Sequence, residues 1–326
     1  MLNQRNTDRY KLIAKATYMI HIYIGGRLGN QLFQYAFVRM LQYHNPNVEV
    51  AWHWDRVLKR GEKEDGWENS LVYFNTVDTQ KVCEPQLTFI QKVCLKLYWL
   101  KYPYHGTREL CIKYQRRWGK LLSKVGIYYN ECGYFPFEKK IFRKRNILIM
   151  GYFESPKYFV EIDHLLRKEI QPKFPLLQHN QSLMRTIEET NSICVSVRRG
   201  DFVTDDYFRG YLYICDKRYF DKAIEYMQSR IQNPVFIFFS DDIEWVKENL
   251  HFDAVCYYER GDDPVWEKLR LMYSCKHFII SNSTFSWWAQ HLGQYEKKMV
   301  VAPARWFNSP IQPDLYEENW IKIAVD

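Results

Sequence analysis

The sequence predicts an α/β protein of two domains, the second built on a doubly wound parallel sheet. The chain has 326 residues, and beyond about 250–300 residues a single core usually splits in two. From Ile193 onward short apolar runs alternate with helical patterns, the signature of parallel βαβ units. Near the amino terminus a strand, a tight loop and a helix follow one another between Ile20 and His44. Composition agrees with a packed protein: 47% hydrophobic, 26% charged and 17% aromatic, with 14 Gly and 12 Pro, which excludes disordered, collagen-like and linker-dominated chains.

Residues 1–18, MLNQRNTDRYKLIAKATY, lack the apolar core of a signal peptide. No stretch approaches the roughly 18 apolar residues of a membrane span. The expectation is a cytoplasmic protein with an N-terminal tail over 1–18. IHIYI (20–24) reads as a β-branched strand, GGRLGN as its loop, and QLFQYAFVRMLQYH as a helix with Leu32, Phe33, Ala36, Phe37, Met40 and Leu41 at helical spacing. The middle, 51–160, is aromatic, basic and punctuated by Pro85, Pro103, Pro136 and Pro156; helices are expected near 86–100 and 108–124, and the topology is left open. Beyond it ICVSV (193–197), VFIFF (235–239), AVCYY (254–258), HFII (277–280) and MVVA (299–302) read as strands. Helices are expected over 217–230, 243–250, 264–275 and 284–292.

Eight cysteines are scattered without a CxxC pair, so neither a zinc ribbon nor a dithiol redox site is written, and reduced thiols are expected. The net charge is +8, yet Ile90 to Arg145 holds fourteen Lys and Arg against Glu109, Glu131 and Glu138, a local +11. This segment also carries Tyr98, Trp99, Tyr102, Tyr104, Tyr114 and Trp118. Two readings stand for it: a solvated face with core-facing rings, and peripheral contact with an anionic membrane. Nucleic acid is not an expected partner.

On a doubly wound sheet ligands bind beyond the carboxyl ends of the strands, and three such loops carry more polar chemistry than a connection needs. After 193–197 come Arg198, Arg199, Gly200 and Asp201, two tandem guanidiniums suited to a diphosphate; the structural alternative is an Arg–Asp pair fixing the loop. After 277–280 come Asn282, Ser283, Thr284, Phe285 and Ser286, where hydroxyls cap a helix and its exposed N–H groups bind phosphate. Asn282-Ser283-Thr284 is also a glycosylation sequon, and a glycan there would block the loop. After 235–239 come Ser240, Asp241 and Asp242: one carboxylate is needed to cap the next helix, and the other is free to recognise a ribose or guanine edge. Gly25 to Gln31 is neither a GxGxxG nor a Walker A loop.

Together GGRLGNQLFQYA, SVRRGDFV, FSDDIEWV and SNSTFSWWAQHLG, in this order, resemble the motifs of the family 11 glycosyltransferases, the bacterial-type α-1,2-fucosyltransferases, over most of Ile20 to Pro303. The resemblance implies a GT-B-like architecture, two Rossmann-like domains whose parallel sheets face a cleft: an acceptor-side domain over 19–170 with a basic aromatic helical insertion, and a GDP-sugar domain over 171–326. It implies GDP-L-fucose as donor, the O2 hydroxyl of a galactoside-type oligosaccharide or lipid-linked glycan as acceptor, inversion at the anomeric carbon, and neither metal nor other cofactor. The chain indeed contains no Asp-x-Asp motif. Carried over by position, Arg198 and Arg199 contact the donor diphosphate, Arg198 the more directly. Ser283, Thr284 and Ser286, with Asn282 and Phe285 beside them, approach phosphate; Asp241 and Asp242 recognise the nucleotide; Gly29, Asn30 and Gln31 line the cleft from the first domain. Ser196 stands where the family usually has histidine, so that residue's part in holding the nucleotide falls to serine or is lost. Asp201, with Asp205 and Asp206, is the candidate for activating the acceptor. Other readings are a different GDP-sugar on the same scaffold, or a nucleotide-sugar-binding module without turnover.

Overall fold

A computed structural model describes residues 19–103, 107–131, 133, 134 and 146–325. The expected tail over 1–18, together with Tyr104, Cys132 and the basic stretch 135–145, lies outside the described residues.

The first half forms a four-stranded parallel sheet, order β2-β1-β4-β3, from β1 (Met19–Tyr23), β2 (Glu49–His53), β3 (Ile127–Asn130) and β4 (Asn146–Gly151). Its helices are α1 (Leu28–His44), α2 (Asp55–Gly61), α3 (Phe89–Leu100), α4 (Arg108–Lys124) and α5 (Asp163–Glu169). The sequence pattern leaves β2, β3 and β4 unseen. Glu49–His53 and Ile127–Asn130 are short edge strands that mix polar with aromatic residues, so no apolar run marks them; each pairs on one side, β2 with β1 and β3 with β4.

The second half is a six-stranded parallel sheet, order β10-β9-β8-β5-β6-β7, from β5 (Asn191–Val197), β6 (Pro234–Ser240), β7 (Val255–Tyr258), β8 (His277–Ile280), β9 (Val300–Pro303) and β10 (Ile321–Ile323). It is covered by α6 (Gln181–Glu189), α7 (Gly200–Thr204), α8 (Asp206–Leu212), α9 (Lys217–Arg230), α10 (Ile243–Asn249), α11 (Val265–Ser274) and α12 (Thr284–Leu292). Central strands covered on both faces read as near-continuous apolar runs, which is why β5, β6 and β8 stand out in the sequence despite Ser192 and Ser196.

The α/β, GT-B-like arrangement of two parallel sheets is therefore what the chain adopts. The two halves are nevertheless not separate cores. One continuous buried cluster runs from Ile20 and Ile22 under α1 to Trp287, Trp288 and Ile280 under α12. Phe33 of α1 lies 4.8 Å from Trp287 and 5.1 Å from Trp288, ring centre to ring centre, and Phe159 stacks on Trp288 at 5.3 Å. Large rings at helix–helix contacts add about 0.5–1.5 kcal/mol per pair beyond their burial, so this seam holds the sheets at a set distance. The opposite face of the first sheet carries a smaller cluster, Tyr98, Leu122, Ile127, Tyr129, Leu148 and Met150, roofed by α3 and α4.

Candidate functional site

The carboxyl ends of β1, β4, β5, β6 and β8 open onto one cleft of about 430 Å3, within the usual range for small-molecule sites. Its second-half wall holds Ser196, Arg198, Asp201, Ser240, Asp241, Lys268, Ser283, Thr284 and Phe285; its first-half wall holds Gly26, Arg27, Gly29, Asn30, Tyr152 and Glu154.

The tandem arginines part company. Arg198 extends into the cleft, held by Asp241 on one Nη and by Asp201 on the other. Both readings of this motif therefore meet in one side chain, because the pair that fixes the loop also presents the guanidinium. Arg199 turns away: its guanidinium carbon lies 3.9 Å above the Trp245 ring and its Nε donates to Asp242 at 2.9 Å. Asp242 also caps α10 by accepting from the Trp245 N–H, and the Arg199 N–H donates to Asp241. Neither Arg199 nor Asp242 lines the cleft. Gly200 is needed here, since a Cβ at that position would strike the Asp241 carboxylate.

The loop after β8 divides its tasks as well. Asn282 is buried and donates to Leu212 and Trp306 carbonyls at 2.8 and 2.9 Å, which ties the loop down. Ser286 is buried against Ser196, the two hydroxyls 2.6 Å apart, so the position usually held by histidine forms a small hydroxyl floor. Ser283 and Thr284 open α12 with no side-chain cap, leaving first-turn N–H groups and the positive end of the helix dipole toward the cleft. Thr284 Oγ1 donates across to Asn30 Oδ1 at 2.6 Å. Gly29 permits that approach: a Cβ there would sit 2.5 Å from the Phe285 nitrogen and from Thr284 Oγ1. Gln31 points the other way, donating to Gly26 and Glu68 carbonyls at 3.0 and 2.8 Å and accepting from the Ser70 N–H, so it braces the loop from behind.

Asp201 is spent on Arg198, with Arg27 Nη1 at 3.9 Å from its second oxygen. Asp205 caps α8 through the Phe208 N–H, Asp206 is fully solvated beside Arg209, and neither reaches the cleft.

Sequence reasoning passed over Arg27, Lys268 and Glu154. Arg27 sits opposite Arg198, with its Nε buried and without a hydrogen-bond partner among the described residues. Burial first, then the like charge of Arg198, pushes its guanidinium below the ordinary value. Arg27 and Arg198 thus bring two guanidiniums to one cleft, with Asp201 shared between them and Glu64 and Asp241 alongside. Arg27 lay within the recognised GGRLGN motif, so the signal was present, but only the cross-cleft placement shows its direction. Glu154 is 7% exposed and is delivered by a turn in which Phe153 has φ +54, a left-handed conformation rare for an aromatic residue. Phe153 is locked there by stacking on Phe37 at 4.1 Å. No sequence pattern announced it. Among the described residues no group of three or more His, Cys, Asp or Glu is placed to hold a metal ion.

Comparison with known proteins adds a family. The sequence model described as glycosyl transferase family 11 matches residues 130–324. An α-1,2-colitosyltransferase of Escherichia coli is 34% identical over 187 residues, 55% of this chain and 63% of that protein. The O-antigen biosynthesis glycosyltransferase WbnK of Escherichia coli is 25% identical over 92% of this chain and 99% of its own length. A galactoside 2-α-L-fucosyltransferase of Mus musculus is 28% identical over 50% of this chain and 49% of its own. The matched region thus spans less than two thirds of the first and third of these relatives.

Proposed function

For a chain that belongs to glycosyl transferase family 11, we propose inverting, metal-independent transfer of L-fucose from GDP-L-fucose to a galactoside hydroxyl, O2 by preference. The observation that carries the reading is the pair Arg27 and Arg198 converging on the cleft beside the amino end of α12. Breaking a sugar–phosphate bond develops negative charge on the departing diphosphate. Cations and oriented N–H groups in a water-poor cleft stabilise it by several kcal/mol. Arg198 and Arg27 take the diphosphate oxygens, the 284–286 N–H groups take a phosphate from the other side, and Asp241 fixes Arg198 while Arg199 and Asp242 buttress that carboxylate.

The acceptor side of the same reading needs a base. As the bond from C1 to the diphosphate breaks and the bond from the acceptor oxygen to C1 forms, the hydroxyl proton must leave. Asp201 is engaged by Arg198, and Asp205 and Asp206 stand outside the cleft. Glu154, on the wall opposite Arg198, is the carboxylate we assign to that proton. We take the acceptor to be a free oligosaccharide or a lipid-linked glycan.

A second donor has an observation in its favour. The 34% identical relative is named a colitosyltransferase. GDP-colitose, whose sugar lacks one hydroxyl of fucose, is therefore the competing donor. The test is to offer GDP-fucose and GDP-colitose with a panel of β-galactosides, with and without EDTA, and to determine product linkage and anomeric configuration by NMR. An α-1,2-fucosyl product insensitive to EDTA is expected. Faster transfer of colitose moves the reading to the second donor, loss of activity on chelation overturns metal independence, and GDP binding without any transfer reduces the protein to a binding module.

A further inference from the structure

Helix α3 is apolar on both faces. Its inward side packs Tyr98, with Cys94, Leu95 and Trp99, into the cluster beneath it, and Gln91 donates to the Val125 and Asn146 carbonyls. At 100° per residue its outward face is Phe89, Val93, Leu97 and Leu100, with Ile90 at one margin and Lys92 and Lys96 at the other. Phe89 is 80% exposed, Leu100 74% and Ile90 60%, with Leu97 at 41% and Val93 at 39%. A soluble helix normally turns such a stripe inward. Contiguous exposed apolar patches mark surfaces that meet something.

The neighbouring helix supplies the second observation. Helix α4 packs beside α3 on the same side of the sheet, with the Tyr114 hydroxyl donating to the Tyr98 carbonyl at 2.8 Å. Its outward arc gathers Lys113, Arg117, Lys120 and Lys124, all exposed, with Leu110 and Leu121 beside them at 49% and 47% exposure. From Phe89 to Lys124 nine Lys and Arg face a single acid, Glu109. Among the described residues Lys113 alone of those four outward cations is in an ion pair, at 2.6 Å from Glu109.

We propose that the α3–α4 hairpin is a docking surface for an anionic lipid bilayer. Aliphatic and phenyl side chains on one helix enter the headgroup boundary, and the cations of its neighbour meet lipid phosphates, the division of labour of an interfacial helix. A protein partner or a second copy would also accept an apolar stripe, but nine cations against one acid on the same hairpin select a surface dense in negative charge, and would repel a second copy of themselves. This proposal does not depend on how the cleft is read.

The experiment is co-sedimentation of the full chain with vesicles of phosphatidylcholine alone and of phosphatidylcholine mixed with an anionic phospholipid, at low and high salt. Two variants are compared with the parent. Phe89→Ser with Leu97→Gln and Leu100→Gln removes the stripe; Lys113→Gln with Arg117→Gln, Lys120→Gln and Lys124→Gln removes the charge. The parent should bind anionic vesicles about tenfold or more better than neutral ones, and less so as salt shortens the screening length below about 10 Å. The charge variant should lose that preference; the stripe variant should lose binding to both vesicle types. Retained melting temperature and circular-dichroism spectrum establish that both variants are folded. Equal binding of parent and variants, or no anionic preference, overturns the proposal. So does a parent that sediments as a concentration-dependent dimer which the stripe variant dissociates, since a second copy would then own the face.

Discussion

The two halves share an architecture and use their charge in opposite places. In the second half the strands are mostly apolar, and the charged and hydroxyl residues that act on the cleft stand largely where the strands end, at Arg198, Asp241 and Ser283. In the first half the cleft receives Arg27, Arg60 and Glu154, and most of the net positive charge lies instead on the outer helices α3 and α4. A parallel sheet offers both options, because its strand ends converge on one edge while its covering helices face solvent. Charge at the edge acts on a bound anion, and charge on the helices acts on whatever the whole domain rests against.

The sharpest way to break this comparison lies within a single dipeptide. Arg198→Ala should lower turnover about 10²–10³-fold, the scale for losing one oriented charge-stabilising contact, with an unchanged melting curve. Arg199→Ala should act through Asp241 and Trp245 and cost stability of about 1–2 kcal/mol with a smaller loss of turnover. If the two variants lose activity equally, the separation of a reaching arginine from a buttressing one is wrong.

A smaller effect is expected where the halves touch. Gly29→Ala places a methyl against the Phe285 nitrogen and Thr284 Oγ1, pushes α1 from α12 and breaks the Asn30–Thr284 hydrogen bond. Turnover should fall about 10-fold to 100-fold, since misplacement by about 1 Å is that costly to an aligned site. A fall in kcat with little change in GDP affinity is the diagnostic result; parental kinetics would mean that the contact across the cleft has no bearing on catalysis.

The smallest effect compares the cores by acid. His21 in the first sheet and His277 in the second are both buried and both pushed down to about 4, by burial and then by His53 in one case and Lys276 in the other. Each is neutral when folded and binds a proton near pH 6.5 when unfolded. Stability is therefore complete above pH 6.5 and declines as pH falls toward 4, by up to about 3 kcal/mol per histidine. His21→Gln and His277→Gln should each reduce the decline in urea midpoint between pH 7 and 4.5. A variant whose midpoint tracks the parent across that range identifies a histidine that titrates normally.

Much of the second half was legible in the residues. The 217–230 and 284–292 helices and the 277–280 strand fall where the structure has them, and β5 and β6 extend the 193–197 and 235–239 runs by one or two residues. Helix α4 matches the expected 108–124 even though its region's topology was left open. Of the first sheet only β1 was legible: β2 and β3 are short and mix aromatic with polar residues, and β4 carries its apolar run 147–150 in a segment whose topology was left open, so their pairing follows from the sheet and not from local pattern. For the site, the loops were visible and the side-chain directions were not. Arg198 and Arg199 look alike in sequence, as do Asp241 and Asp242, and Asn30 and Gln31; in each pair the structure sends one toward the cleft and one into the scaffold.

What the sequence determined by itself was periodicity and chemistry: parallel βαβ units, loops at strand ends rich in guanidinium, carboxylate and hydroxyl groups, and an excess of cations in one segment. These are local properties, set by the spacing of residues along the chain. Only the tertiary structure decided that Arg27 and Glu154 belong to the same cleft as Arg198, and that an exposed apolar stripe rather than a buried one lies beside the cations of α4. Adjacent side chains on a loop leave the backbone in different directions, and groups more than a hundred residues apart become neighbours only when the α1–α12 seam closes. Direction and distance of that kind are products of packing, which no window along a sequence contains.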